Sequence, residues 1–109
     1  MRDQALFAAI GDPTRRDIID LLAKCGPLTA TAMDGRFPVT RQAVVKHLRV
    51  LESAGIAVAE REGNEVFYAL QPDSLTKAAA WLERVGTAWD SRLRALDKHL
   101  TAKPTRVVR

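Results

Sequence analysis

The chain has 109 residues, of which 47% are apolar and 28% are charged, and this composition suits one folded domain and excludes a two-domain enzyme. Seventeen Lys and Arg against thirteen Asp and Glu leave a net charge of +4, which favours an anionic partner. The lone cysteine excludes an intramolecular disulfide framework, so the reducing cytoplasm is the expected compartment. Residues 5–10 form the longest apolar run, which is too short for a signal sequence or a membrane span, so no membrane association is expected.

Two helices are predicted at the start of the chain. Apolar side chains at helical spacing within residues 5–10 predict a short first helix that ends near Gly11. Asp12 followed by Pro13 marks the start of a second helix, because the carboxylate caps free N–H groups and proline is tolerated at the first helical position. The second helix is expected to end at Gly26.

Two more helical segments and a hairpin follow. Residues 29–37 form a weaker, short helical segment that Gly35 interrupts and Pro38 ends. Thr40 caps a helix over residues 40–55, whose final glycine supplies the stop. Strand-like runs then occupy residues 56–61 and 65–70, and the Gly-Asn pair between them predicts two antiparallel strands joined by a tight hairpin loop.

One long helix is predicted over residues 72–100, because apolar and small residues recur every seven positions along a seam. The seam contains Leu75, Ala79, Leu82, Gly86, Trp89, Leu93 and Leu96. Its apolar surface is too large to remain in water, so pairing with a second copy is expected, with packing within its own chain as the alternative. Trp89 is the preferred anchor. Residues 1–100 are thus expected to form the folded domain and residues 101–109 a flexible basic tail.

The helix that begins after Thr40 concentrates positive charge. No acidic residue lies between Gly35 and Leu51, whereas four basic residues do. One helical face is apolar, and the other combines Arg, Lys and Gln, which recognise guanine and adenine edges in the major groove, with a valine that suits a thymine methyl. The predicted DNA-binding residues of this segment are Thr40, Arg41, Gln42, Val45, Lys46 and Arg49.

Charge by itself fits an ordinary solvated helix face equally well, so the order of elements decides between the two readings. Short helices that end in a basic one, a two-stranded hairpin and a further helix give the order α-α-α-α-β-β-α. The predicted fold is therefore mainly helical with a β-hairpin wing, the winged form of the helix-turn-helix.

Three segments resemble the ArsR (arsenic-repressor) family of bacterial winged-helix transcription factors. Residues 11–16, GDPTRR, resemble the opening of the family's second helix; residues 40–48, TRQAVVKHL, resemble its recognition helix; and residues 50–56, VLESAGI, resemble the exit into the wing. The resemblance implies a homodimeric repressor that binds double-stranded DNA through paired recognition helices in successive major grooves and controls its own gene. Two-fold symmetry of such a dimer implies an inverted-repeat operator. It also implies that the first helix, with Leu6 and Phe7, joins the last helix in the dimer contact.

The chain departs from metal-sensing members of that family. Metal-sensing members resemble one another in having a cysteine pair before the recognition helix or Asp and His ligands on the last helix. In this chain, residues 28–34 contain neither Cys nor His, and the last helix has only His99 beside Asp97. No metal and no cofactor are therefore expected. His47 is interpreted as a packed, hydrogen-bonded histidine, and Cys25 as structurally buried in preference to a redox trigger.

The wing also departs from the family's usual basic character. Glu60, Glu62 and Glu65 surround Arg61, so phosphate repels the hairpin and only Arg61 is available to anchor it. Binding is therefore expected to rest on the recognition helix, with phosphate contacts from flanking arginines that position the protein without specifying sequence. These flanking residues are Arg15, Arg16 and Arg36.

Two other functions compete with a DNA-binding repressor. A protein-interaction module, in which the winged helix has lost DNA affinity and the long helix serves a partner, predicts that alanine at Arg41 and Gln42 leaves DNA affinity unchanged. An enzyme is disfavoured, because no Cys and His arrangement, paired carboxylates or glycine-rich phosphate loop occurs at recognisable spacing. No set of residues defines a pocket for a small-molecule effector.

Overall fold

The computed structural model describes residues 4–101, with the side chains of residues 4–99. The elements in chain order are α1 (Gln4–Ile10), α2 (Pro13–Cys25), β1 (Leu28–Thr29), α3 (Ala30–Met33), α4 (Arg41–Ser53), β2 (Ala57–Glu62), β3 (Glu65–Leu70) and α5 (Pro72–Thr101). This order confirms the predicted winged helix-turn-helix, in which α3 and α4 with the turn between them precede the β2–β3 wing. No helix within the described range has the combined length and apolarity needed to cross a bilayer.

The chain divides into two compact units, Met1–Thr76 and Lys77–Arg109. The first contains α1 to α4, the sheet and the first residues of α5. The second contains the rest of α5, which ends at Thr101, so the predicted tail loses its first residue to the helix. Residues 102–109 of that tail lie outside the described residues.

Short polar side chains begin three helices at the residues where the chain supplies them. The Asp12 carboxylate accepts a hydrogen bond from the backbone N–H of Arg15 at 3.0 Å and so caps α2. Thr29 and Thr40 cap α3 and α4 in the same manner, accepting from backbone N–H groups three residues later at 3.0 and 3.1 Å. Each such cap stabilises a helix by about 1 kcal/mol. The helix starts after Asp12 and Thr40 are thus confirmed.

Helix α4 ends in two hydrogen bonds that reverse the chain into the wing. The N–H of Ile56 donates to the carbonyl of Leu51 at 2.9 Å, and the N–H of Gly55 donates to that of Glu52 at 3.0 Å. This pairing is the Schellman motif, which requires a left-handed residue after the helix, and Gly55 has φ of +78°. Leu51 and Ile56, joined by the first bond, are both fully buried.

The sheet has three strands in the order β1-β3-β2, all antiparallel. The β2–β3 hairpin has the predicted two-residue loop, because Glu62 pairs with Glu65 across Gly63, whose φ is +64°. The predicted antiparallel pair is confirmed, and the structure adds a third strand that the sequence did not indicate, in which residues 28–29 pair with Tyr68 and Phe67. A two-residue strand is too short to show the alternating pattern by which strands are read from sequence.

The helical segment over residues 29–37 is also shorter than predicted. Thr29 is its cap, and α3 ends at Met33 because Asp34 adopts an extended backbone with ψ of 132°. Gly35 follows with φ of +78°, outside the helical region. Residues 34–39 therefore form the turn of the helix-turn-helix instead of a continuation of the helix.

The core of the first unit is apolar and fully enclosed. Its largest completely buried side chains come from α2, α3, α4 and the residue before β2, and they are Ile18, Met33, Val44, Leu48, Leu51 and Ile56. Truncating such a leucine to alanine costs about 2–5 kcal/mol. Cys25 does not join this core: it is exposed at the last position of α2, so the expectation of a buried thiol was wrong. Position 25 shares the helical face of Ile18 and Leu22, but it is the last residue of α2, where the chain turns at Gly26.

Candidate nucleic-acid interface

The two faces of α4 differ as the sequence predicts. Val44, Leu48 and Leu51 are buried and fix this helix against the core. On the opposite face four side chains are exposed, and Val45 between them is half-buried. Together with Ala43 they line one open surface groove, and the residues are Arg41, Gln42, Val45, Lys46 and Arg49. The structure therefore brings the predicted residues of α4 together on one accessible cationic surface, which we call the α4 outer face.

Arg41, the first residue of α4, is held by a contact that the sequence did not indicate. Its Nη2 donates a hydrogen bond of 2.6 Å to Oγ1 of Thr31, on α3. Both side chains are exposed, so the guanidinium retains donors that point to solvent. Thr31 lies ten residues before Arg41, and no spacing rule connects a residue of one helix to a residue of the next.

Arg15 is half-buried among backbone groups of its own chain. Its Nε donates to the carbonyl of Ala9 at 2.7 Å and its Nη2 to the carbonyl of Ala8 at 3.1 Å. Its Nη1 lies 3.2 Å from Nδ1 of His47. All three guanidinium nitrogens thus have partners within the protein. The positive charge of Arg15 had predicted an exposed side chain that contacts phosphate.

The other flanking arginines are exposed. Arg16 donates one hydrogen bond, from Nη1 to the carbonyl of Ile10 at 2.7 Å, and its remaining donors are available. Arg36 is exposed in the turn between α3 and α4, and Arg61 is exposed on β2. Each of these three side chains is therefore accessible, and their contacts with phosphate stay a prediction.

His47 lies on the inner side of α4 and is half-buried. Its hydrogen bond with Arg15 confirms the prediction of a packed, hydrogen-bonded histidine. Asp12 lies close to the same junction. The backbone N–H of Arg15 holds the pKa of the Asp12 carboxyl below its usual value; desolvation opposes this shift, and the charge of Arg15 reinforces it.

The wing presents negative charge. Glu60, Glu62 and Glu65 are exposed, and the last two face each other across the hairpin. Like charges directly opposite on a sheet disfavour the pairing, and all three repel phosphate. Arg61 supplies the cation of β2 and pairs in register with Val66.

The seam of α5 is apolar and open. Leu82, Trp89, Leu93 and Leu96 are 52%, 57%, 55% and 47% exposed, and the small seam residues Ala79 and Gly86 are exposed as well. Leu75 is half-buried. In α1, Phe7 is half-buried, but Leu6 is only 4% exposed and belongs to the core of its own chain. Leu6 therefore has little area to offer a second copy, unlike the role that the family resemblance implied.

Within the described residues, no three His, Cys, Asp or Glu side chains are grouped closely enough to hold a metal ion. His99 and Asp97 share the end of α5. Cys25 is at the end of α2, and its neighbours Lys24 and Gly26 supply no ligand.

Comparison with known proteins identifies the domain. Residues 10–60 match a family described as a helix-turn-helix domain. The transcriptional repressor SdpR of Bacillus subtilis is 35% identical over 77 residues, which span 71% of this chain and 84% of SdpR. The regulator CmtR of Mycobacterium tuberculosis, a cadmium metal-sensor, is 38% identical over 96 residues, which span 84% of this chain and 79% of CmtR.

A solved structure agrees in sequence and in fold. An ArsR-like transcriptional regulator from Rhodococcus sp. RHA1 is 37% identical and superposes with a TM-score of 0.74, covering 86% of this chain and 88% of that one. The superposed share of this chain is larger than the helix-turn-helix alone. On this sequence identity, coverage and fold, the chain belongs to the ArsR family of winged helix-turn-helix transcriptional regulators.

Proposed function

We propose that the protein is a homodimeric repressor that binds an inverted-repeat operator, with one α4 from each copy in a major groove. The observation that carries this proposal is the α4 outer face, where Arg41, Gln42, Lys46 and Arg49 are exposed on a helix whose other side is buried. An α-helix fits the major groove of B-DNA, and these side-chain types hydrogen-bond to base edges there.

The individual side chains suggest what the surface reads. Arg and Lys bind O6 and N7 of guanine, and Gln binds N6 and N7 of adenine, each pair discriminating by about 1–3 kcal/mol. Val45, half-buried between Arg41 and Arg49, offers an apolar contact for a thymine methyl. Arg16, Arg36 and Arg61 would bind phosphates and orient the protein on the duplex.

The dimer part of the proposal rests on α5. Leu82, Trp89, Leu93 and Leu96 expose about half of their surface in the single chain, and such an apolar stripe on a soluble regulator needs a covering surface. A second copy supplies a matching stripe by two-fold symmetry. Two symmetry-related α4 helices then recognise half-sites whose centres lie about 34–36 Å apart, one turn of DNA.

We further propose that the inducing signal is not a metal ion, and that the operator controls the protein's own gene. SdpR is a repressor, whereas CmtR senses cadmium. This chain has one cysteine, at the end of α2, and two histidines, and no His, Cys, Asp or Glu cluster within the described range fits a metal. One thiolate without neighbouring ligands does not make a cadmium or zinc site.

The test is selection of bound sequences from random duplexes with the purified full chain, at low ionic strength. The expected result is an inverted repeat with half-site centres about 10 base pairs apart. Parallel selections with cadmium, zinc and an oxidant are expected to recover the same sequence with the same affinity. Recovery of no preferred duplex would contradict the repressor, and loss of binding with a metal would contradict the proposed absence of metal sensing.

A further inference from the structure

Arg15 lies at a junction of three helices. It belongs to α2, its Nε and Nη2 bond the carbonyls of Ala9 and Ala8 in the last turn of α1, and its Nη1 bonds Nδ1 of His47 on α4. The two distances to the carbonyls are 2.7 and 3.1 Å, and the distance to the imidazole is 3.2 Å. One rigid guanidinium thus connects α1 and α4.

The chemistry of the two partners fixes the state of His47. A guanidinium has only N–H donors and stays protonated in proteins, so Nδ1 of His47 accepts this bond. An accepting Nδ1 carries no proton, and the neutral ring therefore bears its proton on Nε2. The three bonds come from three different nitrogens of the planar guanidinium, which the single nitrogen of a lysine ammonium does not reproduce.

The position of His47 on α4 links this junction to the orientation of the α4 outer face. His47 follows Lys46, which faces outward, and precedes Leu48, which is fully buried. Holding the imidazole near the end of α1 adds a restraint on the rotation of α4 about its axis, because a change in rotation would carry His47 away from Arg15. Arg15 therefore helps the buried Val44, Leu48 and Leu51 to set the direction of the α4 outer face.

We propose that Arg15 is a positioning residue for DNA recognition, which acts through His47 to hold α4 against the end of α1 and does not itself bind phosphate. This proposal rests on the DNA binding proposed above. It reverses the role that positive charge suggested for Arg15 and leaves Arg16, its exposed neighbour, as the phosphate contact.

The first experiment compares Arg15→Ala with Arg16→Ala on the selected duplex, with affinity measured by fluorescence anisotropy over a range of salt concentrations. A residue that neutralises one phosphate contributes about one unit to the salt slope. Arg15→Ala is expected to weaken binding about tenfold with an unchanged slope, whereas Arg16→Ala lowers the slope by about one. A lowered slope in Arg15→Ala overturns the proposal.

Two conservative variants separate position from charge. Arg15→Lys keeps the charge that a phosphate contact needs but not the fork, so it is expected to bind as weakly as Arg15→Ala. His47→Asn keeps an acceptor near the place of Nδ1 and is expected to bind within about threefold of wild type, whereas His47→Ala is expected to lose about as much as Arg15→Ala. Full binding by Arg15→Lys, or additive losses in the double alanine variant, overturns the proposal. Circular dichroism confirms that each variant is folded.

The junction is also tested in the free protein, without DNA. Nitrogen NMR of the full chain reports the tautomer of His47, and His99→Asn assigns the second histidine. The expected wild-type state is the Nε2–H tautomer, changing to a mixture in Arg15→Lys. An Nδ1–H tautomer in the wild type overturns the proposal even where DNA binding holds. A wild type that binds no duplex overturns the proposed function, and the positioning role with it, whatever the tautomer.

Discussion

The Nη2 of Arg41 donates a hydrogen bond of 2.6 Å to Oγ1 of Thr31, and this contact joins the two helices of the helix-turn-helix. Arg41 begins α4, and Thr31 lies on α3. The bond restricts a long side chain with many rotamers to one direction before DNA is met. Restricting a binding side chain in advance reduces the entropy lost on association.

Replacing Thr31 with valine tests this contact, because valine keeps the shape of threonine and removes the hydroxyl acceptor. Affinity for the selected duplex is expected to fall about fivefold, the loss for one hydrogen bond of about 1 kcal/mol. Base preference at the position read by Arg41 is expected to relax. Fluorescence anisotropy on the selected duplex and its point variants measures both. Thr76→Val, at an exposed position of α5, is the matched control. An equal loss of affinity in that control would contradict the role of the Thr31 hydroxyl in holding Arg41.

Arg41 and Arg16 are expected to fail in different ways when truncated. Arg41→Ala removes a base contact, so specific binding weakens by about 1–3 kcal/mol and preference at one base pair is relaxed. Arg16→Ala removes a phosphate contact, so all duplexes lose affinity alike and the salt slope falls by about one. Binding curves on selected and scrambled duplexes at several salt concentrations distinguish the two. An Arg41→Ala variant that loses the same affinity on every sequence would contradict base reading.

The acidic wing is expected to oppose DNA binding. Glu62→Gln removes a charge that repels phosphate, and it also relieves the facing pair with Glu65. Affinity at low ionic strength is expected to rise about twofold to threefold, and the gain is expected to vanish at high salt because exposed charges are screened. Asp20→Asn on α2 makes the same change of net charge away from the wing. An equal gain in that control would attribute the effect to net charge.

Trp89 is expected to anchor the dimer. It is 57% exposed in the single chain and lies at the middle of the α5 seam, with the Arg92 guanidinium 5.7 Å from its ring centre. Trp89→Glu places a charge in an apolar contact and is expected to raise the dimer dissociation constant at least about 30-fold. Sedimentation equilibrium measures this constant. Arg84→Glu, on the opposite side of the helix by rotation, is expected to leave the dissociation constant nearly unchanged. An unchanged constant in Trp89→Glu would show that the α5 seam is not the dimer contact.

Stability in acid is expected to depend on Asp12. Its pKa is lowered in the folded state, chiefly by the hydrogen bond from the N–H of Arg15, so its ionised form stabilises the fold. This contribution is fully present above the ordinary carboxyl pKa of about 4 and is lost as pH falls through the lower folded value. Asp12→Asn keeps a capping side chain without the titration. Urea unfolding at pH 7, 5, 4 and 3 is expected to show the stability of the wild type approaching that of Asp12→Asn at low pH, and a difference independent of pH would contradict this role.

Several elements of the fold were predictable because their causes are local. Asp12 and Thr40 mark helix starts through side-chain oxygens that reach N–H groups three residues later, and Gly55 marks a helix end through its left-handed backbone. Gly63 and Asn64 set the hairpin register in a two-residue loop. The two faces of α4 follow from helical periodicity. Each of these signals acts between groups that are only a few residues apart, so the sequence by itself brings them close together.

The contacts of Arg15, Thr31 and β1 were decided by tertiary structure. Their partners lie on other elements, and only the packing of α1, α2, α3, α4 and the sheet brings those partners within hydrogen-bond distance. A hydrogen bond depends on the distance between two atoms to within tenths of an ångström. A sequence pattern specifies only which face of a helix or strand turns inward, so it does not predict such a bond. The sequence therefore determined that α4 carries an exposed cationic face. The packed structure decided which of the predicted arginines stay exposed and which, like Arg15, are bonded within the chain.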